Sequence, residues 1–176
     1  MPELPGEAGP KLRDQGEWCA DQLGEDERAF LAALEPRIEA SLDGASILCV
    51  HGSPRSAMEE IRQSTTDVEL AEMLAGADPT VLTAGHTHVQ LVRRHDSTLV
   101  VNPGSVGSPF NARLSNGAIR MSPWAEYAVL TAGEGGISAE LRRTRYDVSA
   151  LHEMALESGM PHPEWWSAQW LGPEQT

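Results

Sequence analysis

Gly85-His86-Thr87-His88 places two imidazoles two residues apart, directly after the apolar run Val81-Leu82-Thr83-Ala84. In extended backbone, side chains at i and i+2 share one face, so both rings can enter one pocket. Gly85 is expected to give a tight backbone entry that a side chain would obstruct. Neutral imidazole is a good ligand for zinc, iron and related metals. The competing reading is a pair of surface histidines beside a turn.

Two further polar motifs follow apolar runs. Ile47-Leu48-Cys49-Val50 leads into His51-Gly52-Ser53-Pro54-Arg55, and Leu99-Val100-Val101 leads into Asn102-Pro103-Gly104-Ser105-Val106-Gly107. Ligands of sheet-based α/β folds gather where strands end, so three motifs in that position point to one site. His51 is either a third metal ligand or a hydrogen-bonded structural residue. Arg55 carries a fork that matches phosphate oxygens, or it is a solvated arginine. Asn102 can orient a ligand histidine or a substrate oxygen. Gly104 and Ser105 can turn backbone N–H groups toward an anion. Asn-Pro-Gly is equally natural as a turn at a strand end.

The elements that must position these residues show in the hydrophobic pattern. Phe30, Leu31 and Leu34 recur at helical spacing after Gly24, with Glu25, Asp26 and Glu27 suited to a first turn and Pro36 as the stop. Strands are expected over 46–50 and 80–84, and a helix capped by Asp67 over 68–75. Residues 89–94 and 98–102 flank a turn at 95–97, in which His95 is expected to be solvated. Residues 107–123 read as a long loop. Residues 127–131 and 137–146 flank a Gly-rich turn, a second hairpin. Residues 147–158 read as a closing helix holding His152, and His162 sits between two prolines. Trp165, Trp166 and Trp170 read as a hydrophobic clamp or interface, with nothing basic interleaved as nucleic-acid stacking would need.

Composition narrows the classes. The chain has 176 residues, a length suited to one domain, and a formal charge of -13. Such a charge repels a nucleic-acid backbone. The 40% hydrophobic content argues against a disordered chain. Cys19 and Cys49 form no C-x-x-C pair, which suits a reducing compartment, and Cys49 is expected to be a small buried hydrophobe. No signal peptide and no apolar run of membrane-spanning length is visible. The expectation is a soluble cytoplasmic protein, with no membrane and no general nucleic-acid partner.

His-Gly-Ser-Pro, Gly-His-Thr-His and Asn-Pro-Gly-Ser-Val-Gly, in that order, resemble the small bacterial members of the calcineurin-like metallophosphoesterase superfamily. The resemblance runs from about Trp18 to Tyr146, and its end matches through Tyr127-Ala128-Val129-Leu130, Glu140-Leu141-Arg142-Arg143 and Tyr146-Asp147-Val148. It implies an α/β fold, a four-layer αββα sandwich, incomplete here at the N-terminus. It divides the chain into a flexible arm over 1–16, the C-terminal part of the phosphoesterase domain over 17–158, and a Trp-rich tail over 159–176. By the same resemblance His51 and His86 bind one metal and His88 the other. Arg55, Asn102, Gly104 and Ser105 line the substrate side. Two divalent ions (manganese, zinc, iron or nickel) would polarise a phosphoryl group for in-line attack by water.

Asp-x-His, Gly-Asp-x-x-Asp and Gly-Asn-His, with which the family begins, are not in this sequence. With them go the carboxylate ligands and the family's catalytic histidine, so the catalytic residue is unknown. A fragment, a misplaced start and a degenerate relative all fit that pattern. The function implied is metal-dependent hydrolysis of a phosphomonoester or phosphodiester, impaired in the short chain. The alternative is a non-catalytic metal-binding or scaffold protein. A phosphate ester is the expected partner, and exposed sheet edges would favour self-association.

Overall fold

The computed structural model describes residues 8–113 and 119–170, which divide into two compact units. One unit comprises residues 35–110 and 124–145. It is built on a five-stranded sheet of β1 (Arg37–Leu42), β2 (Ala45–Val50), β3 (Val81–Ala84), β4 (Leu91–His95) and β5 (Thr98–Asn102), in the order β1-β2-β3-β5-β4. β2, β3 and β5 run parallel, and β1 and β4 are antiparallel edges. The central strands are nearly continuous apolar runs because both faces are covered.

Alternation along those strands sorts their side chains into two cores. Leu48, Leu82, Ala84, Leu91 and Val100 face the helix α3 (Asp67–Leu74) and its Leu70 and Leu74. Val81, Leu99 and Val101 face the hairpin of β8 (Trp124–Gly133) and β9 (Gly136–Arg145), through Ala128, Leu130, Ile137 and Ala139. The unit is therefore helix, mixed sheet and second sheet in layers, the mixed α/β architecture expected. α3 begins one residue earlier than the sequence suggests. Thr66 is its N-cap, and its hydroxyl and the Glu69 carboxylate close a reciprocal capping box. Arg93 of β4 donates to Asp67 Oδ1 and to the Thr65 carbonyl, both at 2.6 Å, fastening that helix start to the sheet.

Several expectations give way here. β1 lies where no strand was expected. It alternates polar Arg37, Glu39 and Ser41 with apolar Ile38, Ala40 and Leu42, and five of its six residues are exposed, as an edge strand allows. His95 is 9% exposed rather than solvated, its Nδ1 3.6 Å from Asp67 Oδ1, because the turn is the two residues that follow it. Cys49 is half-buried.

The other unit draws on residues 1–34, 111–123 and 146–176. Its helices are α1 (Ala8–Asp21), α2 (Glu25–Ala32), α4 (Val148–Glu157) and α5 (Pro163–Ser167). The arm expected over 1–16 is helical from Ala8 onward. Pro10 stands in the first turn, where a missing N–H costs nothing. Gln15 of α1 is buried and donates to the Pro161 carbonyl at 3.1 Å, and Asp14 lies 2.7 Å from His162 Nε2. Trp170 is buried with its ring 4.4 Å from that of Trp166. The Trp-rich segment thus packs inside this unit. The segment read as one loop over 107–123 holds two short strands, β6 (Phe110–Arg113) and β7 (Ile119–Met121), which pair with each other. Residues 114–118 of that segment, 1–7 of the arm and 171–176 of the tail lie outside the described residues. Among the described residues no helix is long and apolar enough to cross a membrane.

Candidate metal centre

β2 and β3 are parallel neighbours with Val50 opposite Ala84, so His51 and Gly85 leave the sheet side by side. The carbonyl of His51 accepts two amides there, from Gly85 at 2.9 Å and His86 at 2.8 Å. That backbone clasp brings the two rings together. His86 Nδ1 lies 2.9 Å from His51 Nε2, with ring centroids 4.8 Å apart and planes inclined by 67°. One nitrogen donates and the other accepts when both rings are neutral. His51 is exposed and His86 half-buried, so the pair sits at the surface where the strands end.

The loop after His51 is held by its own polar groups. Gly52 is buried, and a Cβ there would come within 2.6 Å of the carbonyl oxygens of Ser56 and Ala57. It is the glycine this turn requires. Gly85 is not: a Cβ there would meet no atom within 4 Å, so the close approach expected at Gly85 belongs to Gly52. Ser53 Oγ accepts the amides of Arg55 at 3.1 Å and Ser56 at 3.0 Å and donates to Glu59. Arg55 Nε donates to Glu59 Oε1 at 2.9 Å, with Nη2 bonded to the same oxygen. The fork that was expected to face phosphate is engaged by a carboxylate four residues on. Arg55 and then Ser53 hold the Glu59 carboxyl below the usual range, and the same bond raises Arg55.

His88 is placed by a different device. Residues 85–88 form a turn, closed by the His88 amide on the Gly85 carbonyl at 2.9 Å, and His88 takes a left-handed φ of 56°. The alternation that would set His86 and His88 on one strand face therefore does not apply. His88 Nδ1 lies 3.0 Å from the Ser108 carbonyl. That carbonyl can only accept, which assigns the neutral ring its proton at Nδ1 and its lone pair at Nε2. Among the described residues no three His, Cys, Asp or Glu side chains are grouped to hold a metal.

Asn102, at the end of β5, is 3% exposed. Its Nδ2 donates to Thr87 Oγ1 at 2.9 Å, and its Oδ1 accepts the Gly104 amide at 2.9 Å. It thereby ties the histidine turn to the Pro103–Ser108 loop. The Glu126 amide donates to the Ser105 carbonyl at 3.0 Å. The Gly104 amide serves an oxygen of this chain, Asn102 Oδ1.

Glu126 was not singled out in the sequence, although a signal existed. It occupies the inward phase of β8, shared with Ala128 and Leu130, where a carboxylate is out of character. It is 7% exposed and ion-paired with Arg143 Nε at 3.2 Å. Burial pushes its carboxyl up, opposed by Arg143 and the Ser105 amide.

Imidazole nitrogens such as those of the first pair are donors of a type that divalent cations accept. Two nitrogens about 2.1 Å from one metal lie about 3.0 Å apart when their bonds meet at a right angle, and about 3.4 Å apart at the tetrahedral angle. The observed 2.9 Å is close to the first arrangement.

A family model for the calcineurin-like phosphoesterase superfamily domain matches residues 14–122. Among solved structures, the chain is similar to hypothetical protein PH1004 from Pyrococcus horikoshii OT3, with a TM-score of 0.71 and 17% identity. That match covers 94% of this chain and 62% of the other. The chain is also similar to a metallophosphoesterase from Sphaerobacter thermophilus, with a TM-score of 0.63 and 24% identity, over 92% of this chain and 68% of that one. Identities this low speak for the fold alone. The chain spans less than two thirds of the length of the first structure and slightly more of the second. No curated protein matches it.

Proposed function

We propose, since the chain belongs to the calcineurin-like phosphoesterase superfamily, that its histidine site binds divalent metal and serves hydrolysis of a phosphate ester. The observation that carries this reading is the meeting of His51 Nε2 and His86 Nδ1 at the ends of two parallel strands. In this reading the pair holds one metal and His88, whose lone pair is at Nε2, serves a second. A divalent metal there would polarise a phosphoryl oxygen and offset the charge that develops on it. The His51 carbonyl fixes the turn that carries His86, and the Ser108 carbonyl fixes the ring of His88. Manganese, zinc, iron and nickel all accept imidazole.

Hydrolysis of an aryl phosphodiester by the purified chain, with added manganese, tests the reading. Turnover that His86→Ala and His51→Ala each abolish supports it. Turnover unchanged in both variants would overturn it. A second reading, metal binding without catalysis, has its own support. The Arg55 fork is bonded to Glu59, so a group suited to a phosphate already holds a carboxylate. Zinc bound by the pair with no turnover on any phosphate ester favours that second reading.

A further inference from the structure

We propose that Glu126 is a positioning residue for the candidate site: its carboxylate is an internal anion for the Pro103–Ser108 loop and, through that loop, sets the ring of His88. The proposal rests on the reading of His88 as a metal ligand. The path is continuous. The carboxylate lies against the Gly104–Ser105 backbone, where the Ser105 amide offsets part of its burial, and the Ser105 carbonyl takes the Glu126 amide at 3.0 Å. Ser105 Oγ takes the Ser108 amide at 3.0 Å. The Ser108 carbonyl in turn takes Nδ1–H of His88 at 3.0 Å.

The carboxylate's seat is built for it. Gly104 has a φ of 84°, and a Cβ there would lie 2.7 Å from Glu126 Cβ and 2.8 Å from Gln90 Cγ, so the loop backbone rests directly on these side chains. Arg143 pairs with Glu126 at 3.2 Å and donates to Gln90 Oε1, also at 3.2 Å. Gln90 Nε2 reaches the carbonyls of Pro103 at 3.3 Å and Arg142 at 3.1 Å. A residue needed only for packing at this inward β8 position would be apolar, like Ala128 and Leu130 in the same phase. A buried carboxylate stands here instead, its burial partly offset by the Arg143 guanidinium and the Ser105 amide. Residues that orient a ligand histidine through its other nitrogen fix its tautomer.

The test reads the imidazole nitrogens of the whole chain by long-range proton–nitrogen NMR, without metal. The native chain is expected to show His88 with its proton at Nδ1. Glu126→Ala should lose that signature at His88 while those of His51 and His86 stay in place. Glu126→Gln, which keeps the shape of the side chain against Gly104, should keep it. A folded Glu126→Ala chain with an unchanged His88 signature would overturn the proposal. Should Glu126→Ala fail to fold, amide exchange in the native chain decides. Ser105 and Ser108 should exchange at least about tenfold slower than Val106 and Gly107, and equal rates would overturn the proposal. A chain that bound no zinc would defeat the proposed function yet leave the tautomer result readable.

Discussion

His51 and His86 are joined twice: the amide of His86 donates to the carbonyl of His51 at 2.8 Å, and Nδ1 of one ring lies 2.9 Å from Nε2 of the other. The backbone bond follows from the Val50–Ala84 register, and the ring contact follows from the backbone bond. Two groups coupled in this way act as a unit. We expect His51→Ala and His86→Ala each to lower zinc affinity, and the double variant to lose much less than the sum of the two. Isothermal titration of the four proteins gives the cycle. Additive losses would mean that the two rings act independently.

The number of tight sites follows from charge. Imidazoles are neutral ligands, and two cations a few ångströms apart repel unless negative groups offset them. Zinc or manganese titration of the isolated chain should show at most one tight site. Two tight sites would mean that carboxylates reach the cluster from elsewhere.

Gly52 and Gly85 make a matched pair. Gly52→Ala forces a Cβ against two backbone oxygens at 2.6 Å, while Gly85→Ala enters open space. We expect Gly52→Ala to cost about 1–3 kcal/mol in urea unfolding and Gly85→Ala to stay within about 0.5 kcal/mol of the native chain. Equal effects would contradict the placement of the close approach.

Two carboxylates should shape the acid limb of stability in opposite senses. Glu59 is held low by Arg55 and Ser53, so its contribution is complete above the unfolded value of about 4.3 and is lost as pH falls through the lower folded value. The stability gap between the native chain and Glu59→Gln should narrow below that pH. Glu126 is pushed up by burial, so the native chain should do best against Glu126→Gln below about pH 4.3 and lose ground as pH rises through the folded value. Urea unfolding from pH 3 to 7, on the order of the range these carboxyls titrate, checks both. Gaps that do not vary with pH would contradict both.

Much of the unit that carries the histidines was legible in the sequence. The apolar runs of β3 and β5 announce strands buried on both faces and that of β2 a partly covered strand, and the candidate motifs follow all three. Ala45–Val50 and Thr98–Asn102 were read almost to the residue. α1 was missed because Pro10 and the nearby glycines read as a breaker, although proline is harmless in a first turn. β1 carries a signal that went unused, the alternation of Ile38, Ala40 and Leu42 with Arg37, Glu39 and Ser41 just after the Pro36 stop. At the site, positions were readable and partnerships were not. Spacing suggested that His86 and His88 share a face, but the left-handed φ of His88 separates them from strand geometry. Glu126 pairs with Arg143 on the facing strand, a contact that no local pattern reports.

The most direct test of the central claim, that His51 and His86 share one metal, is zinc titration of the nitrogen-15-labelled chain followed at the six imidazoles. The expected result is that His51 Nε2 and His86 Nδ1 shift together and saturate at one equivalent of zinc, while His152 and His162 do not move. Zinc that shifts only one of the two rings, or shifts neither while binding elsewhere, would contradict the claim.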